Sequence, residues 1–261
     1  MSTTTAIQVL TCDNPSPMTL EGTNTYLLGR PDQAEVVVVD PGPDGHKEHL
    51  HAVLESVGDR SVAEILVTHR HGDHTGAAKA LSARTGAPVR GFDPDQCVAG
   101  GQGIVLPLAE GEKILAGGLS IEVLHTPGHT GDSVCLWIPE ENALLTGDTV
   151  LGRGTTMVDF PDGTLTEYLQ TLERLMDYAQ ARMLPAHGPA HEQLGPVVQR
   201  YLEHRHSRLD RVRELVAEHG QDLSPEQLAE LMYAGRSPIH PHITHQIAAA
   251  QLEHLRSLGE L

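Results

Sequence analysis

Cysteine and aromatic residues are scarce in this chain of 261 residues. The three cysteines, Cys12, Cys97 and Cys135, are odd in number and widely spaced, so the sequence predicts neither a disulfide framework nor a cysteine-based zinc site. Aromatic residues make up 3% of the chain. The core must therefore be built from Val, Leu, Ile and Ala rather than from rings.

Positive charge is also scarce, with 18 Lys and Arg against 35 Asp and Glu and a formal net charge of -17. Such a surface repels polyanions unless a local basic patch overrides it. The chain has three lysines, Lys47, Lys79 and Lys113, which cannot form an extended track for phosphates. The charge balance thus weighs against nucleic-acid substrates and favours small ones.

Long apolar runs are missing too, and no segment reaches the length of a membrane span. The first residues, MSTTTAIQVL, carry no basic segment followed by an apolar stretch. We therefore expect a cytoplasmic protein with no membrane partner.

The chain up to about residue 190 alternates β-rich runs, helical patterns and Gly, Pro or Asp turns, which predicts a mixed α/β fold. Helices are predicted over 45–57, 75–85 and 164–181. Strands are predicted at 7–10, 24–28, 35–40, 63–68, 88–91, 120–125, 133–138, 143–146 and 182–185.

The composition changes after Pro196, where helices are predicted over 197–219, from 225 and over 244–258. We predict a catalytic domain over 1–195 and an all-helical, winged-helix-like subdomain over 196–261. Packing on the main domain, dimerisation and closure of one cleft wall remain alternative roles for this subdomain, and the oligomeric state is left open.

Potential metal ligands crowd the segment ILVTHRHGDHTG, which carries His69, His71, Asp73 and His74 at the end of an apolar strand. Residues two apart on a strand end point the same way, so the first two histidines can share one ion. The turn into the next helix directs the other two residues towards a second ion. Further candidates that each follow an apolar strand are His129, Asp148 and His187.

This series, HxHxDH followed by GH, GD and AHG, resembles the metallo-β-lactamase superfamily over roughly residues 20 to 190. The resemblance implies an αββα sandwich that holds two divalent ions, zinc, with iron or manganese as alternatives. It implies a first ion bound by His69, His71 and His129, a second bound by Asp73, His74 and His187, and Asp148 as the bridge between them.

The aspartate at position 148 favours the glyoxalase II and ribonuclease Z branches, because many true β-lactamases have Cys or Ser there. The segments MTLEGTNTYLLG, LLTGDTVLGRGTT and YLEHRHSR are similar to the lactamase-β-like protein 2 group. Members of that group include a metal-dependent endoribonuclease acting on single-stranded RNA. The tail does not resemble the substrate-binding domain of glyoxalase II.

Two ions that share a carboxylate lie ~3.5–4 Å apart and lower the pKa of a bound water to about 7, so a metal-bound hydroxide is the expected nucleophile. Asp73 is the expected catalytic residue that orients this water and takes its proton. Residues on nearby loops and on the helix after the AHG turn are candidate substrate contacts: Asn24, Arg153, Thr155, Thr156, His204 and Arg205.

Several functions stay open at this point. The scissile bond is either a phosphodiester in single-stranded RNA or a thioester, ester or lactone in a small acyl substrate. Two further alternatives are a regulatory module with a vestigial metal site and a non-hydrolytic iron protein of the same fold.

Overall fold

The computed structural model describes residues 5–101, 105–234 and 240–261. The chain forms two compact units. The first contains the residues up to Thr126 together with Asp132–Gly154 and Gln180–Gln193, and the second contains Pro127–Gly131, Thr155–Ala179 and Leu194–Leu261. The predicted domain boundary between residues 195 and 196 stays a prediction, since the two compact units are divided at other positions.

The first unit contains two five-stranded sheets. The first sheet has the order β1-β2-β3-β4-β5, with β1 Ile7–Thr11, β2 Asn24–Leu28, β3 Glu35–Val39, β4 Ser61–Leu66 and β5 Val89–Arg90. The second has the order β10-β9-β8-β7-β6, with β6 Lys113–Ala116, β7 Leu119–His125, β8 Val134–Ile138, β9 Ala143–Gly147 and β10 Arg182–Pro185. The pairs β3–β4, β4–β5 and β9–β10 are parallel, and the other pairs are antiparallel.

Strand β3 shows how these sheets are packed. Its alternate residues Val37 and Val39 belong to the apolar core that both sheets share. Val36 and Val38 face the other way, where they pack with apolar residues of helices α1 Lys47–Val57 and α3 Ala78–Thr85. All four valines are buried, which is typical of a strand covered on both faces.

The helix predicted over 75–85 is divided in the structure into α2, Gly72–Thr75, and α3. A Cβ atom at Gly76 would lie 2.2 Å from the backbone nitrogen of Asp44, so the chain passes close under the 43–44 loop at this point. The backbone N–H of Ala77 donates to the carbonyl of Gly42. Asp73 and His74 consequently lie inside the first helical turn rather than in a turn before it.

Strand β6 was not predicted. It is a four-residue edge strand in which Lys113 and Leu115 are exposed while Ile114 and Ala116 are buried. Glycines follow it directly at positions 117 and 118. A run this short, next to turn residues, gives little periodicity to detect.

The regular elements that the structure describes in the second unit are helices, among them α4 Leu165–Leu175, α5 Gly195–His219, α6 Pro225–Tyr233 and α7 Pro241–Ser257. Thr164 caps α4, because its side chain accepts from the backbone N–H of Glu167. Between residues 196 and 261 the described part contains no strand, so the winged-helix likeness stays a prediction. The helices described here are all too short or too polar to cross a membrane.

Candidate metal centre

Six of the seven predicted ligands lie in the first unit, on segments that follow strands β4, β9 and β10. His69 and His71 follow β4, and the chain then enters α2 with Asp73 and His74. The other two ligands lie at one edge of the second sheet, where Asp148 follows β9 and His187 follows β10. Because β9 and β10 are parallel, both reach this edge at their carboxyl ends.

Two groups of ligand atoms converge in this unit. His69, His74 and Asp148 each offer one atom within 4.8 Å of the others, and so do Asp73, His74 and His187. His71 adjoins them, with its Nδ1 atom 3.0 Å from Nε2 of His69. The six side chains that the sequence singled out are thus brought together.

Hydrogen bonds fix the ring nitrogens of two histidines. The Nδ1 atom of His74 lies 2.9 Å from Oδ2 of Asp40. The Nδ1 atom of His187 lies 3.0 Å from the carbonyl oxygen of Gly22. Both partners can only accept, so Nδ1 carries a proton in each ring, and Nε2 is the nitrogen that faces the centre and can bind a metal once it has lost its own proton.

The surroundings of these Nε2 atoms fit a metal. In His187, Nε2 is 3.2 Å from Oδ2 of Asp73 and 3.3 Å from Oδ1 of Asp148. In His74, the corresponding distances are 3.5 Å and 3.6 Å. Both Nε2 atoms are buried and make no hydrogen bond of acceptable geometry with the residues that the structure describes. Buried nitrogens that converge on carboxylates in this way are suited to coordinate a cation.

Asp40 was missed as a functional residue by the sequence analysis. It follows β3 in a left-handed conformation with φ 49°, and its side chain is 2% exposed. Its Oδ1 atom accepts from the backbone N–H of Thr68, and its Oδ2 atom accepts from the hydroxyl of Thr68 and from His74. An aspartate directly after the apolar run VVVV was the available signal.

Gly147 permits the close approach of the two sheets at this edge. It has φ 49°, and a Cβ atom there would lie 2.9 Å from both Cβ and Oγ1 of Thr68. Thr68 directly precedes His69, and Gly147 directly precedes Asp148. The absence of a side chain therefore lets ligands from the two sheets meet.

The comparisons with known proteins agree with this geometry. Residues 18–187 match the model of the family described as the metallo-beta-lactamase superfamily. The chain belongs to this superfamily. The predicted fold class is thereby confirmed, and the protein is a metal-dependent hydrolase of that superfamily.

Three relatives illustrate the breadth of the likeness. A beta-lactamase-like protein 2 homolog of Drosophila melanogaster is 34% identical over 88% of this chain and 80% of its own length. An atrochrysone carboxyl ACP thioesterase of Aspergillus fumigatus is 34% identical over 75% of this chain and 60% of its own. The crystal structure of a beta-lactamase domain protein from Burkholderia ambifaria superposes with a TM-score of 0.79 at 25% identity and covers 98% of this chain and 87% of that one.

Carboxylates and histidines of the superfamily site perturb each other's protonation. Burial alone lowers the pKa of His74, but the charges of Asp40, Asp148 and Asp73 raise it to about 10. Burial alone raises the pKa of Asp73, whereas its contact with His187 and the charges of both histidines hold that pKa well below its ordinary value. Asp73 is therefore ionised at neutral pH.

Asn24, a predicted substrate contact, is buried beneath the loop that carries His187. Its side-chain amide donates to the carbonyl oxygens of Pro185 and Gly188 at 3.0 and 3.1 Å. The backbone N–H of Asn24 donates to the carbonyl of Ala186. This asparagine thus fixes the segment on both sides of His187.

The remaining predicted residue of the first unit, Arg153, is exposed. Its guanidinium lies 2.6 Å from Oε1 of Glu21, and the hydrogen bond from Arg153 lowers the pKa of that carboxyl. The pair joins the loop after β9 to the loop before β2.

His129, the seventh predicted ligand, lies in the second unit on the segment Pro127–Gly131. Its Nδ1 atom is 2.6 Å from the carbonyl oxygen of Met157 and 3.3 Å from Oγ1 of Thr156. The Met157 carbonyl can only accept, so Nδ1 carries the proton in this ring as well. The backbone of His129 is also held, because its carbonyl accepts from the N–H of Asp159.

The other predicted substrate contacts of the second unit differ in exposure. Thr155 and His204 are exposed, whereas Thr156 and Arg205 are buried. Partial burial, together with the charges of Arg205 and Arg208, lowers the pKa of His204.

Proposed function

We propose that this protein uses two divalent metal ions to hydrolyse a thioester or ester bond in a small acyl substrate. Zinc is the proposed metal. The observation that carries the proposal is the convergence of buried Nε2 atoms of His74 and His187 on the carboxylates of Asp73 and Asp148. Imidazole nitrogens and carboxylate oxygens form the donor set that zinc takes in catalytic sites.

In this proposal His69, His71 and His129 hold one ion, Asp73, His74 and His187 hold the other, and Asp148 bridges them. The first set is completed from the segment 127–131, which leaves the first unit at Thr126 and returns to it at Asp132. Thr126 is hydrogen-bonded to Thr149, the neighbour of Asp148, with 3.2 Å between the hydroxyl oxygens. His129 follows Thr126 by three residues, and the partner of Thr126 is the residue next to Asp148.

The bound ions would supply Lewis acidity, which makes a nucleophile from water at neutral pH and stabilises negative charge on the substrate. Asp73 has the protonation state that the reaction requires, since its lowered pKa keeps it a carboxylate. Its Oδ2 atom can accept a hydrogen bond from the attacking water and so orient it.

The acyl substrate is favoured over RNA by two observations. The relative from Aspergillus fumigatus is named for thioester cleavage on an acyl carrier protein. The net charge of -17 and the scarcity of lysine oppose a long polyanion. Arg153 is exposed and is the proposed contact for a carboxylate or phosphate at one end of the substrate, which would compete with Glu21 for its guanidinium.

The test combines metal analysis with a substrate panel. Purified protein should contain two ions per chain and should hydrolyse thioesters, esters or lactones, while Asp148→Ala should lose about 10²-fold or more of this activity. Asp44→Ala, which removes an exposed aspartate outside the ligand set, is the matched control and should keep both.

A single-stranded oligoribonucleotide belongs in the same panel. Metal-dependent RNA cleavage that is lost with Asp148, without acyl hydrolysis, would overturn the acyl substrate and support an endoribonuclease. A wild-type protein that binds no metal and turns over neither substrate class would contradict the dinuclear centre itself.

A further inference from the structure

Arg205 on helix α5 is a charged side chain in an unusual position. It is 8% exposed. No carboxylate of the described residues pairs with it, and its Nε atom is buried without a hydrogen bond. Burying a guanidinium without a counter-charge costs free energy, so its remaining contacts call for an explanation.

The first contact leads to His129 through the backbone. The Nη2 atom of Arg205 donates to the carbonyl oxygen of Thr156 at 2.5 Å. The hydroxyl of Thr156 and the carbonyl of Met157 both lie within hydrogen-bond distance of Nδ1 of His129. Arg205 therefore anchors the peptide segment that sets the orientation of this ring.

The second contact of Arg205 connects it to the neighbour of His129 through side-chain packing. The guanidinium carbon of Arg205 lies 5.1 Å from the centroid of the Tyr168 ring, a distance suited to a cation–π interaction. Tyr168 is fully buried against Gly128, where an added Cβ would lie 2.4 Å from the tyrosine Cα. Gly128 directly precedes His129, so both contacts of the arginine are made with groups that pack against this histidine or its chain neighbour.

We propose that Arg205 is a positioning residue that holds His129 in the orientation and tautomer needed to bind a metal ion. The inference rests on the proposed function, in which His129 is a ligand. It gives the C-terminal helical segment a role in the metal centre: α5 supplies the support of one ligand. The planar fork of arginine suits this task, since one edge donates to a carbonyl while a face covers a ring.

The chain offers a matched control three residues along the same helix. Arg208 donates from Nη2 to the hydroxyl of Tyr233 at 2.7 Å, and its guanidinium carbon lies 4.9 Å from that ring. Arg208 thus makes the same two kinds of contact, but with helix α6 instead of the segment around His129. Arg205→Met and Arg208→Met remove equivalent groups from one helix.

The experiment measures binding of Zn²⁺ to metal-stripped protein by competition with a chromophoric chelator, together with thermal unfolding of the stripped protein. We expect Arg205→Met to weaken one of the two ions by about 10- to 100-fold and to leave the other unchanged. Arg208→Met should bind both ions as the wild type does, even where its unfolding midpoint falls. Arg205→Lys should bind the affected ion at least tenfold more weakly than the wild type does, because lysine lacks the planar guanidinium fork.

A double variant separates positioning from general destabilisation. His129→Ala should weaken the same ion, and adding Arg205→Met to it should cause little further loss, because the arginine acts through this histidine. Full additivity would overturn the inference, and so would wild-type affinity for both ions in a folded Arg205→Met protein. If Arg205→Met does not fold, the same comparison is made with Arg205→Lys, and wild-type affinity for both ions in that variant would overturn the inference. Fewer than two ions in the wild type would instead contradict the proposed function, and the inference would fall with it.

Discussion

The Nδ1 atom of His74 lies 2.9 Å from Oδ2 of Asp40, a residue 34 positions earlier in the chain. This carboxylate accepts from Nδ1 and thereby leaves Nε2 of His74 as the atom that can bind a metal. The tautomer of His74 is therefore set by a residue that follows strand β3, and no proposed ligand follows that strand directly.

Replacement of this carboxylate should weaken metal binding more than it disturbs the fold. In Asp40→Asn the amide can donate to Nδ1, which favours the tautomer with the proton on Nε2 and removes the lone pair from the metal side. We expect about a 10- to 100-fold loss in affinity for one ion, measured by chelator competition. Asp44→Asn, on the exposed loop nearby, should have wild-type affinity, and an Asp40→Asn protein that matches it would refute this role.

Metal binding should release protons. Nearby carboxylates raise the pKa of His74 to about 10, so this ring is protonated at neutral pH before the metal enters. An ion can bind only after Nε2 has lost its proton, and apparent affinity should therefore rise with pH, by up to about tenfold per unit for each proton released. Titration calorimetry in buffers of different ionisation enthalpy measures the number of protons.

The same measurement on Asp40→Asn gives the control. Loss of the Asp40 charge lowers the pKa of His74, so fewer protons should leave per ion bound at the same pH. Equal proton release in both proteins would show that another group titrates.

Gly147→Ala should destabilise the protein. The added methyl group meets Thr68 at 2.9 Å, and the backbone is held at a positive φ of 49°. The conformation alone costs about 1–3 kcal/mol, and the collision adds to it. Chemical denaturation should show this loss, accompanied by weaker metal binding because Thr68 and Gly147 both adjoin ligands.

Gly111→Ala separates the two causes, since Gly111 has φ 72° with nothing within 4 Å of the added Cβ. It should lose about 1 kcal/mol and keep its metals. If both variants lose the same stability, the approach of the two sheets does not require glycine.

The thiols should react in an order set by burial. Cys12 and Cys135 are buried and Cys97 is partly exposed. Burial, with the nearby charge of Asp13, raises the pKa of Cys12 to about 11, which removes its reactive thiolate at neutral pH. A chromogenic disulfide should therefore titrate Cys97 in the native protein and the other two after denaturation.

Removing the metals should leave this native count unchanged, because no cysteine belongs to the proposed ligand set. A count that rises on metal removal would show either a thiol ligand or a core that opens without the ions.

Local sequence was enough to predict most of the elements. Nine of the ten strands were expected close to their observed positions, since apolar runs bounded by turn residues carry the period of a strand. Edge strand β6 was not predicted because a run of four residues next to two glycines gives little periodicity to detect. The break at Gly76 was not predicted either, and the 43–44 loop that packs against this glycine lies some thirty residues away in sequence.

The candidate site divides in the same way. By itself the sequence determined which residue types could bind metal and in what order they follow the strands, because ligand chemistry and strand ends are local properties. Only the tertiary structure decided which groups support those ligands: Asp40 behind His74, Gly22 behind His187, and Arg205 behind the segment that holds His129. These contacts join residues that are 34, 165 and 49 positions apart, and such pairs are created by the strand pairing, loop contacts and helix packing of the folded chain rather than by any pattern along it.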